Sequence, residues 1–217
     1  MYKNYQEQKQ NTCLICFKNL NDAVSLFSLF SFNKILCDNC QKQFKKIDKI
    51  ELINEIETVF LYEYDEFMKS LIFQYKGCYD IALKDVFLFN HLNKLKRKYK
   101  GYTVIFPPSN KDENDKRGFI HIKEMVRCLN LPIEDLFFKN TPYKQSSFKF
   151  KDRYKVEKVI TLKEKTTITN KKYLIVDDIY TSGSTLKTII KILLNHGVKK
   201  ENIKALIICK TKNNVEL

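Results

Sequence analysis

Apolar residues along the chain follow two alternating patterns, and together these patterns predict a sheet of parallel strands flanked by helices. Consecutive apolar residues, many of them β-branched, predict buried strands at residues 103–106, 172–178 and 203–209. Apolar residues at 185–196 instead recur every three or four positions, as in an amphipathic helix, and Gly197 provides the stop. Strands that alternate with helices in this way indicate an α/β fold with a mostly parallel sheet.

The remainder of the chain shows weaker versions of the same patterns. Apolar stripes at helical spacing predict helices at residues 66–75, 81–99 and 121–129. The run KDENDKRG at 111–118 has no apolar position, and it predicts a polar loop.

Composition is that of an ordinary globular protein. The chain is 44% hydrophobic and 29% charged, and this balance excludes a disordered composition. Its apolar runs all fall short of the roughly 20 residues that a membrane helix needs. The first ten residues, MYKNYQEQKQ, lack the apolar core of a secretory signal, so we expect a cytoplasmic protein.

The net charge of +14 predicts partners that carry negative charge, such as nucleic acid, phosphorylated compounds or an acidic membrane surface. A compositional bias toward lysine and asparagine, as an A/T-rich genome produces, explains the same charge without any partner. Arginine is the residue that binds phosphate in bidentate fashion, and only four of the 39 basic residues are arginine. Both interpretations stay open on charge alone.

Four of the seven cysteines form two pairs with the same internal spacing, Cys13-x-x-Cys16 and Cys37-x-x-Cys40. Each pair can present two thiolates to one metal ion from a tight turn, and two such turns complete a tetrahedral zinc site. Four unrelated buried cysteines are the alternative, and the matched spacing argues against it. Since four protein ligands leave no open position, we expect the zinc to be structural.

Two adjacent acids, Asp177 and Asp178, end the predicted strand at 172–178 and precede a turn rich in hydroxyl groups. The turn consists of Thr181, Ser182, Gly183, Ser184 and Thr185. Backbone N–H groups in such a turn, at the start of a helix, can hold a phosphate dianion. The two carboxylates can accept hydrogen bonds from the hydroxyl groups of a ribose. Together these elements predict a site for a ribose 5-phosphate.

The segment from 137 to 165 mixes nine basic and three acidic residues with interleaved aromatic residues. Such a mixture can stack nucleic-acid bases and bind phosphates along a single strand. Its candidate DNA-binding residues are Lys144, Lys149, Lys151, Arg153 and Lys155. A surface loop whose aromatic residues dock on the core is an equally good interpretation.

The stretch VDDIYTSGST resembles the signature with which type I phosphoribosyltransferases bind phosphoribosyl pyrophosphate (PRPP). The resemblance implies the fold of those enzymes, a mostly parallel sheet flanked by helices, with PRPP bound together with Mg²⁺. It assigns Asp177 and Asp178 to the ribose hydroxyls and the turn from Thr181 to Thr185 to the 5-phosphate.

Further motifs are similar to those of the ComF family of competence-associated proteins. The paired cysteines, LIFQYKG at 71–77, Arg117-Gly118-Phe119, and Gln145 with Arg153 at the family's spacing carry this resemblance. It implies a four-cysteine zinc module at residues 1–50 and a phosphoribosyltransferase-like domain at 51–217.

Departures from the family pattern fall on the pyrophosphate side of the site. Phe106-Pro107-Pro108 replaces the "PVP" turn, RGFIH replaces "RGFNQ", and Val156 replaces an asparagine. The candidate pyrophosphate ligands are Ser109, Lys111 and Arg117. The departures make binding of PRPP better supported than its turnover.

Three functions are compatible with this resemblance. A ComF-type protein of natural transformation would bind incoming single-stranded DNA in the cytoplasm, peripheral to the inner membrane, beside a helicase or membrane channel. An active phosphoribosyltransferase, of the amido-transferring or another type, would use a small acceptor. A regulator would sense PRPP or nucleotides without catalysis. The first is favoured by the resemblance.

Overall fold

The computed structural model of the protein describes residues 12–20, 34–140, 159–164 and 166–212. Its strands are β1 (Lys46–Ile53), β2 (Ile56–Glu63), β3 (Thr103–Ile105), β4 (Ile133–Glu134), β5 (Phe137–Asn140), β6 (Val159–Leu162), β7 (Tyr173–Tyr180) and β8 (Ile203–Lys210). Its α-helices are α1 (Asp38–Lys42), α2 (Glu66–Lys76), α3 (Leu92–Lys98), α4 (Lys111–Arg117), α5 (His121–Val126) and α6 (Ser184–Asn195). Short 3₁₀ helices occur at Ile81–Asp85, Phe89–His91, Arg127–Leu129 and Lys200–Asn202.

Six strands form one sheet in the order β1-β2-β8-β7-β3-β4, and β5 pairs with β6 separately. The strands from β2 to β4 in this order are parallel, whereas β1 is antiparallel to β2. The predicted α/β fold with a mostly parallel sheet is therefore confirmed. The chain leaves β7 through α6 toward β8, and it leaves β3 toward β4 on the other side. This reversal between β3 and β7 is where such sheets bind ligands, beyond the carboxyl ends of the strands.

Helices cover both faces of the sheet, and β7 contributes to both hydrophobic layers. Leu174 and Val176 pack in the layer that contains α2, α3 and α5, whereas Tyr173 and Ile175 pack in the layer that contains α6. Side chains of a strand alternate between its faces. Two adjacent residues at the end of β7 therefore point to opposite sides of the sheet.

The single helix predicted at 81–99 is wrong, because the structure divides this segment into two 3₁₀ helices followed by α3. Val86, Phe87 and Leu88 are consecutive and fully buried. An amphipathic helix turns about 100° per residue, so three consecutive side chains cannot all lie on its buried stripe. The irregular path lets each of the three reach the core.

The polar loop predicted at 111–118 is also wrong, because residues Lys111–Arg117 form α4. The side chain of Asn110 accepts a hydrogen bond from the backbone N–H of Asp112 at 3.0 Å and caps the helix. Gly118 ends it in the left-handed conformation, with φ of +78°. These two caps stabilise a helix that has almost no apolar side chain to bury.

The amino-terminal part of the described chain packs directly against the sheet. The ring of Phe44 lies 5.1 Å from the ring of Tyr62 in β2 and 5.1 Å from the ring of Phe67 in α2. Strand β1 crosses position 50, where the sequence places a boundary between two domains. That division at residue 50 stays a prediction.

Burial of His91 gives the protein a stability that depends on pH. Its Nδ1 lies 3.3 Å from a carboxylate oxygen of Asp48, but burial outweighs this acid and lowers the pKa of the imidazole below its ordinary value of about 6.5. Below that pH the unfolded chain takes up a proton that the folded chain resists, so acid favours unfolding. We expect the wild type to lose stability relative to His91→Gln as the pH falls from 7.5 to 5.5.

Urea unfolding at several pH values measures this effect. The comparison with His91→Gln isolates the effect of this histidine, because the two proteins differ in no other titratable group. Since Asn195 is exposed and carries no titratable group, Asn195→Gln serves as the control and should keep a constant difference from the wild type. A constant difference for His91→Gln as well would contradict the prediction.

Candidate functional site

A cavity of about 1220 Å³ lies at the point where the strand order reverses. Its walls come from the loop after β3, from α4 and from the carboxyl end of β7. Asp177, Asp178 and Thr185 line it, together with Ser109 and Lys111. The structure thus brings the predicted ribose side and part of the predicted pyrophosphate side into one cavity.

The turn between β7 and α6 owes its path to Gly183. This residue has a φ of +72°, and a Cβ atom built on it would lie 2.4 Å from the hydroxyl oxygen of Tyr180. Ser182 and Ser184 are exposed, and their hydroxyl oxygens are 3.1 Å apart. Gly183 has no side chain to cap α6, and the N–H of Ser184 donates only a long hydrogen bond of 3.4 Å to Oγ of Ser182. The first N–H groups of this helix can therefore donate to an anion.

Asp178 is buried and lies between two proton donors on the face of the sheet that carries α2 and α5. Its Oδ2 is 2.6 Å from Nζ of Lys76 and 3.4 Å from Nε2 of His121. Burial disfavours the charged carboxylate, but the hydrogen bond from His121 and the charge of Lys76 outweigh burial and hold the pKa of Asp178 well below its usual range. Asp178 is therefore ionised.

Asp177 has the opposite environment. Its Oδ1 accepts the backbone N–H of Asp178 at 2.9 Å, and its side chain faces away from Lys76 and His121 because β7 alternates. Burial and the negative charge of Asp178 raise the pKa of Asp177 well above its usual range. Of the two acids, Asp178 is therefore the one whose surroundings favour the negative charge.

Arg117 supports this arrangement from beneath the cavity. Its Nε donates to the backbone carbonyl of Lys76 at 2.9 Å, and its NH1 lies 3.3 Å from Nδ1 of His121. Arginine can only donate, so Nδ1 accepts and the ring proton of His121 is on Nε2, which points at Asp178. Lys76, Arg117, His121 and Asp178 thus form a closed ring of contacts, called the charged ring below.

The three candidate pyrophosphate ligands differ in position. Ser109 lines the cavity and accepts a hydrogen bond from the Asn114 side chain at 2.5 Å, and Lys111 is exposed at the first turn of α4. Arg117 is buried and engaged in the charged ring, so its guanidinium supports the cavity from outside. Lys76, which lies in the motif LIFQYKG but was not among the predicted site residues, also lines the cavity. All three assignments remain predictions.

The cysteine cluster shows that the two Cys-x-x-Cys turns converge. The four sulfur atoms of Cys13, Cys16, Cys37 and Cys40 all lie within 4.8 Å of one another, and those of Cys16 and Cys37 are 3.6 Å apart. Zinc–sulfur bonds of about 2.3 Å in a tetrahedron separate the sulfurs by about 3.8 Å. The cluster is therefore compatible with structural zinc.

Hydrogen bonds within the cluster also suit a metal ion. Burial opposes ionisation of Cys13, but the backbone N–H groups of Cys16 and Cys37 outweigh it and lower the pKa of this thiol to about 7. Burial and the neighbouring thiols raise the pKa of Cys40. Four thiolates so close together repel one another unless a cation lies between them.

Comparison with known proteins shows what the chain is similar to. Residues 115–216 match the phosphoribosyl transferase domain family. The chain is 26% identical to competence protein ComFC of Streptococcus pneumoniae, with 86% of this chain and 95% of that protein covered. It is 24% identical to competence protein ComFC of Bacillus subtilis, with 75% and 67% covered. The resemblance to the ComF family is confirmed.

The ComF resemblance agrees with the fold and with the position of the cavity. The domain match contains Asp177, Asp178 and the turn from Thr181 to Thr185. A hypoxanthine phosphoribosyltransferase of Staphylococcus aureus is 15% identical, with 61% of this chain and 68% of that chain covered and a TM-score of 0.36. Because this score is low, the type I phosphoribosyltransferase fold follows from the domain match and the sheet order.

Two further expectations concern partners and the membrane. The candidate DNA-binding residues Lys144, Lys149, Lys151, Arg153 and Lys155 lie outside the described residues. Within the described residues, each helix is too short or too polar to cross a membrane.

Proposed function

We propose that the cavity binds PRPP together with Mg²⁺, and that the protein acts in natural transformation as a cytoplasmic ComF-type protein that binds single-stranded DNA. The observation that carries the proposal is the arrangement at the end of β7. Asp177 and Asp178 lie beside the turn that begins α6, and both acids line one cavity with Thr185.

Each part of this arrangement matches a part of PRPP. The ribose hydroxyls would donate hydrogen bonds to Asp177 and Asp178. The 5-phosphate would accept hydrogen bonds from the backbone N–H groups of the turn at Thr181 to Thr185. The pyrophosphate would extend toward Ser109 and Lys111. Mg²⁺ binds phosphate oxygens in preference to dedicated protein cages, so the ligand itself would bring the ion, which would neutralise part of the pyrophosphate charge.

Binding of DNA is supported by charge and by the relatives. The net charge is +14, and both curated relatives are named competence proteins. We propose that the segment from 137 to 165 supplies the contacts, because its positive charge attracts the phosphate backbone and its aromatic rings stack on bases. Helicase or membrane-channel partners belong to the same proposal. The cysteine cluster would hold one structural zinc ion.

A second candidate function is transfer of the ribose phosphate to a small acceptor. The cavity extends beyond the end of β7 to Phe137, Phe138 and Lys163, which leaves room for an acceptor next to C1 of the ribose. Catalysis would consist of positioning and of electrostatic stabilisation of the departing pyrophosphate. Release of pyrophosphate from PRPP across a panel of acceptors distinguishes this function from binding alone.

Calorimetric titration of PRPP–Mg²⁺ and of a short single-stranded DNA, each with and without the other, tests the proposed function. We expect both to bind the wild type, and DNA affinity to fall with rising salt. The double variant Asp177→Asn, Asp178→Asn should lose about a hundredfold in PRPP affinity, because the charge-assisted hydrogen bond from the ribose to Asp178 and the hydrogen bond to Asp177 both weaken.

Asp135→Asn is the matched control for this titration. Asp135 lines the same cavity but pairs with Lys163 at 2.6 Å rather than facing the end of β7. It should keep wild-type affinity for PRPP, and thermal melting should show that all variants are folded. A wild type that binds no PRPP at millimolar concentration, or a double variant with undiminished affinity, would contradict the proposed site.

A further inference from the structure

Lys76 occupies an unusual position, because it belongs to the charged ring and also lines the cavity. It is the last residue of α2, and its side chain is 29% exposed. Its Nζ lies 2.6 Å from Oδ2 of Asp178. One end of this ion pair is therefore buried, while the ammonium group borders the space that a ligand would fill.

Both carboxylate oxygens of Asp178 have hydrogen-bond partners before any ligand binds. Oδ1 accepts the backbone N–H of Ile179 at 2.9 Å, and Oδ2 faces both Lys76 and His121. Lys76 borders the cavity, so a ribose hydroxyl that approaches Oδ2 from the cavity competes with its ammonium group. The contact from His121 is long and comes from a buried ring, so the partly exposed ammonium of Lys76 is the group that can move.

When the side chain of Lys76 moves, Asp178 keeps a hydrogen-bond donor and the end of α2 keeps its position. His121 keeps donating to Asp178, because Arg117 fixes its proton on Nε2. Arg117 also holds the backbone carbonyl of Lys76 at 2.9 Å, so the side chain can swing while the end of α2 stays fixed. The displaced ammonium then lies half-buried at the cavity wall and needs another anion.

We propose that Lys76 binds a second anionic group of the ligand when the ribose displaces it from Asp178, and that it makes the cavity selective for a ribose phosphate that carries this second anion. A ligand with one phosphate, such as ribose 5-phosphate, leaves Lys76 without a partner or must leave it on Asp178. A ligand with a pyrophosphate at C1 gives Lys76 a new charge-assisted bond. Lys76 then belongs to the pyrophosphate side of the site. Arg117 acts indirectly, by holding Lys76 and His121 in position.

The test compares two ligands in matched variants, and it rests on the proposed function because it needs a wild type that binds ribose phosphates. Affinities for PRPP–Mg²⁺ and for ribose 5-phosphate are measured by calorimetry on the wild type, Lys76→Met and Lys76→Gln. We expect the affinity for PRPP to fall about tenfold to a hundredfold in both variants. The affinity for ribose 5-phosphate should change less than about threefold.

Lys69→Met is the control, because Lys69 lies two turns earlier on α2 and pairs with Glu66 at 3.6 Å. It removes the same charge from the same helix and should change neither affinity. Lys76→Gln keeps a hydrogen-bond donor toward Asp178, so it decides the outcome if Lys76→Met does not fold.

The two proposals fail in different ways. A wild type that binds neither ligand overturns the proposed function. A wild type that binds both ligands, with Lys76 variants that keep the wild-type ratio of the two affinities, overturns the role of Lys76 alone. This includes an equal fall in the two affinities, because the lysine would then stabilise the structure or bind a phosphate that both ligands carry.

Discussion

The purified protein is expected to carry one zinc ion per chain and to lose the fold of its amino-terminal residues when that ion is removed. Among the described residues before β1, only Cys13, Leu36, Cys40 and Phe44 are buried, and two of these four are cysteines of the cluster. Zinc binding in such modules supplies about 10–16 kcal/mol of folding free energy. Native mass spectrometry measures the ion, and hydrogen exchange at residues 12–20 and 34–45 measures the unfolding.

Cysteine variants provide the matched comparison for this prediction. Cys37→Ser removes one ligand of the cluster and should abolish zinc binding and protection from exchange. Cys78→Ser removes an exposed cysteine outside the cluster and should leave both unchanged. Unaltered exchange at residues 12–20 after the metal has been stripped would show that the cluster folds without zinc.

Gly183→Val is expected to destabilise the protein by about 2–5 kcal/mol and to abolish measurable binding of PRPP. A left-handed conformation costs a residue with a side chain about 1–2 kcal/mol, and overpacking adds about 1–3 kcal/mol. The overpacking arises because the new Cβ would meet the ring of Tyr180, which packs edge-on against Phe60 at 5.2 Å. Either Tyr180 leaves that contact or the turn that begins α6 changes its path.

Gly101→Val separates the two contributions. Gly101 has a similar φ of +82°, but among the described residues no atom lies within 4 Å of a Cβ built there. Its replacement should cost only the conformational part and leave PRPP binding intact. Adding Tyr180→Ala to Gly183→Val should recover part of the lost stability. Equal destabilisation by the two glycine variants in urea unfolding would argue against the close approach of Tyr180.

Much of the fold could be predicted from the sequence because its central elements bury continuous apolar surface. The strands β7 and β8 and the helix α6 have strong periodic patterns, and each was predicted to within about two residues. Helix α4 was missed because its side chains are polar. Its caps were nevertheless present in the sequence, with Asn110 before it and Gly118 after it, and they are the signal that identifies such a helix.

The candidate site could be predicted where its residues lie in local sequence motifs, whereas contacts between distant motifs could not be predicted. Asp177, Asp178 and the turn that follows form one local motif. Lys76 lies 102 residues before Asp178, and no local pattern pairs a helix-terminal lysine with a strand-terminal acid over such a distance. His121 was noticed as a departure from the ComF motif, but its contact with Asp178 depends on the packing of α5 against β7.

Helix α2 runs from the surroundings of the cysteine cluster to the wall of the cavity. At its first turn Asp65 caps the helix and pairs with Lys45 at 3.0 Å, and Phe67 packs on Phe44 next to the cluster. At its last turn lies Lys76. An 11-residue helix is about 16 Å long. A change in the position of α2 beside the cysteine cluster would therefore also displace the backbone of Lys76 at the cavity wall.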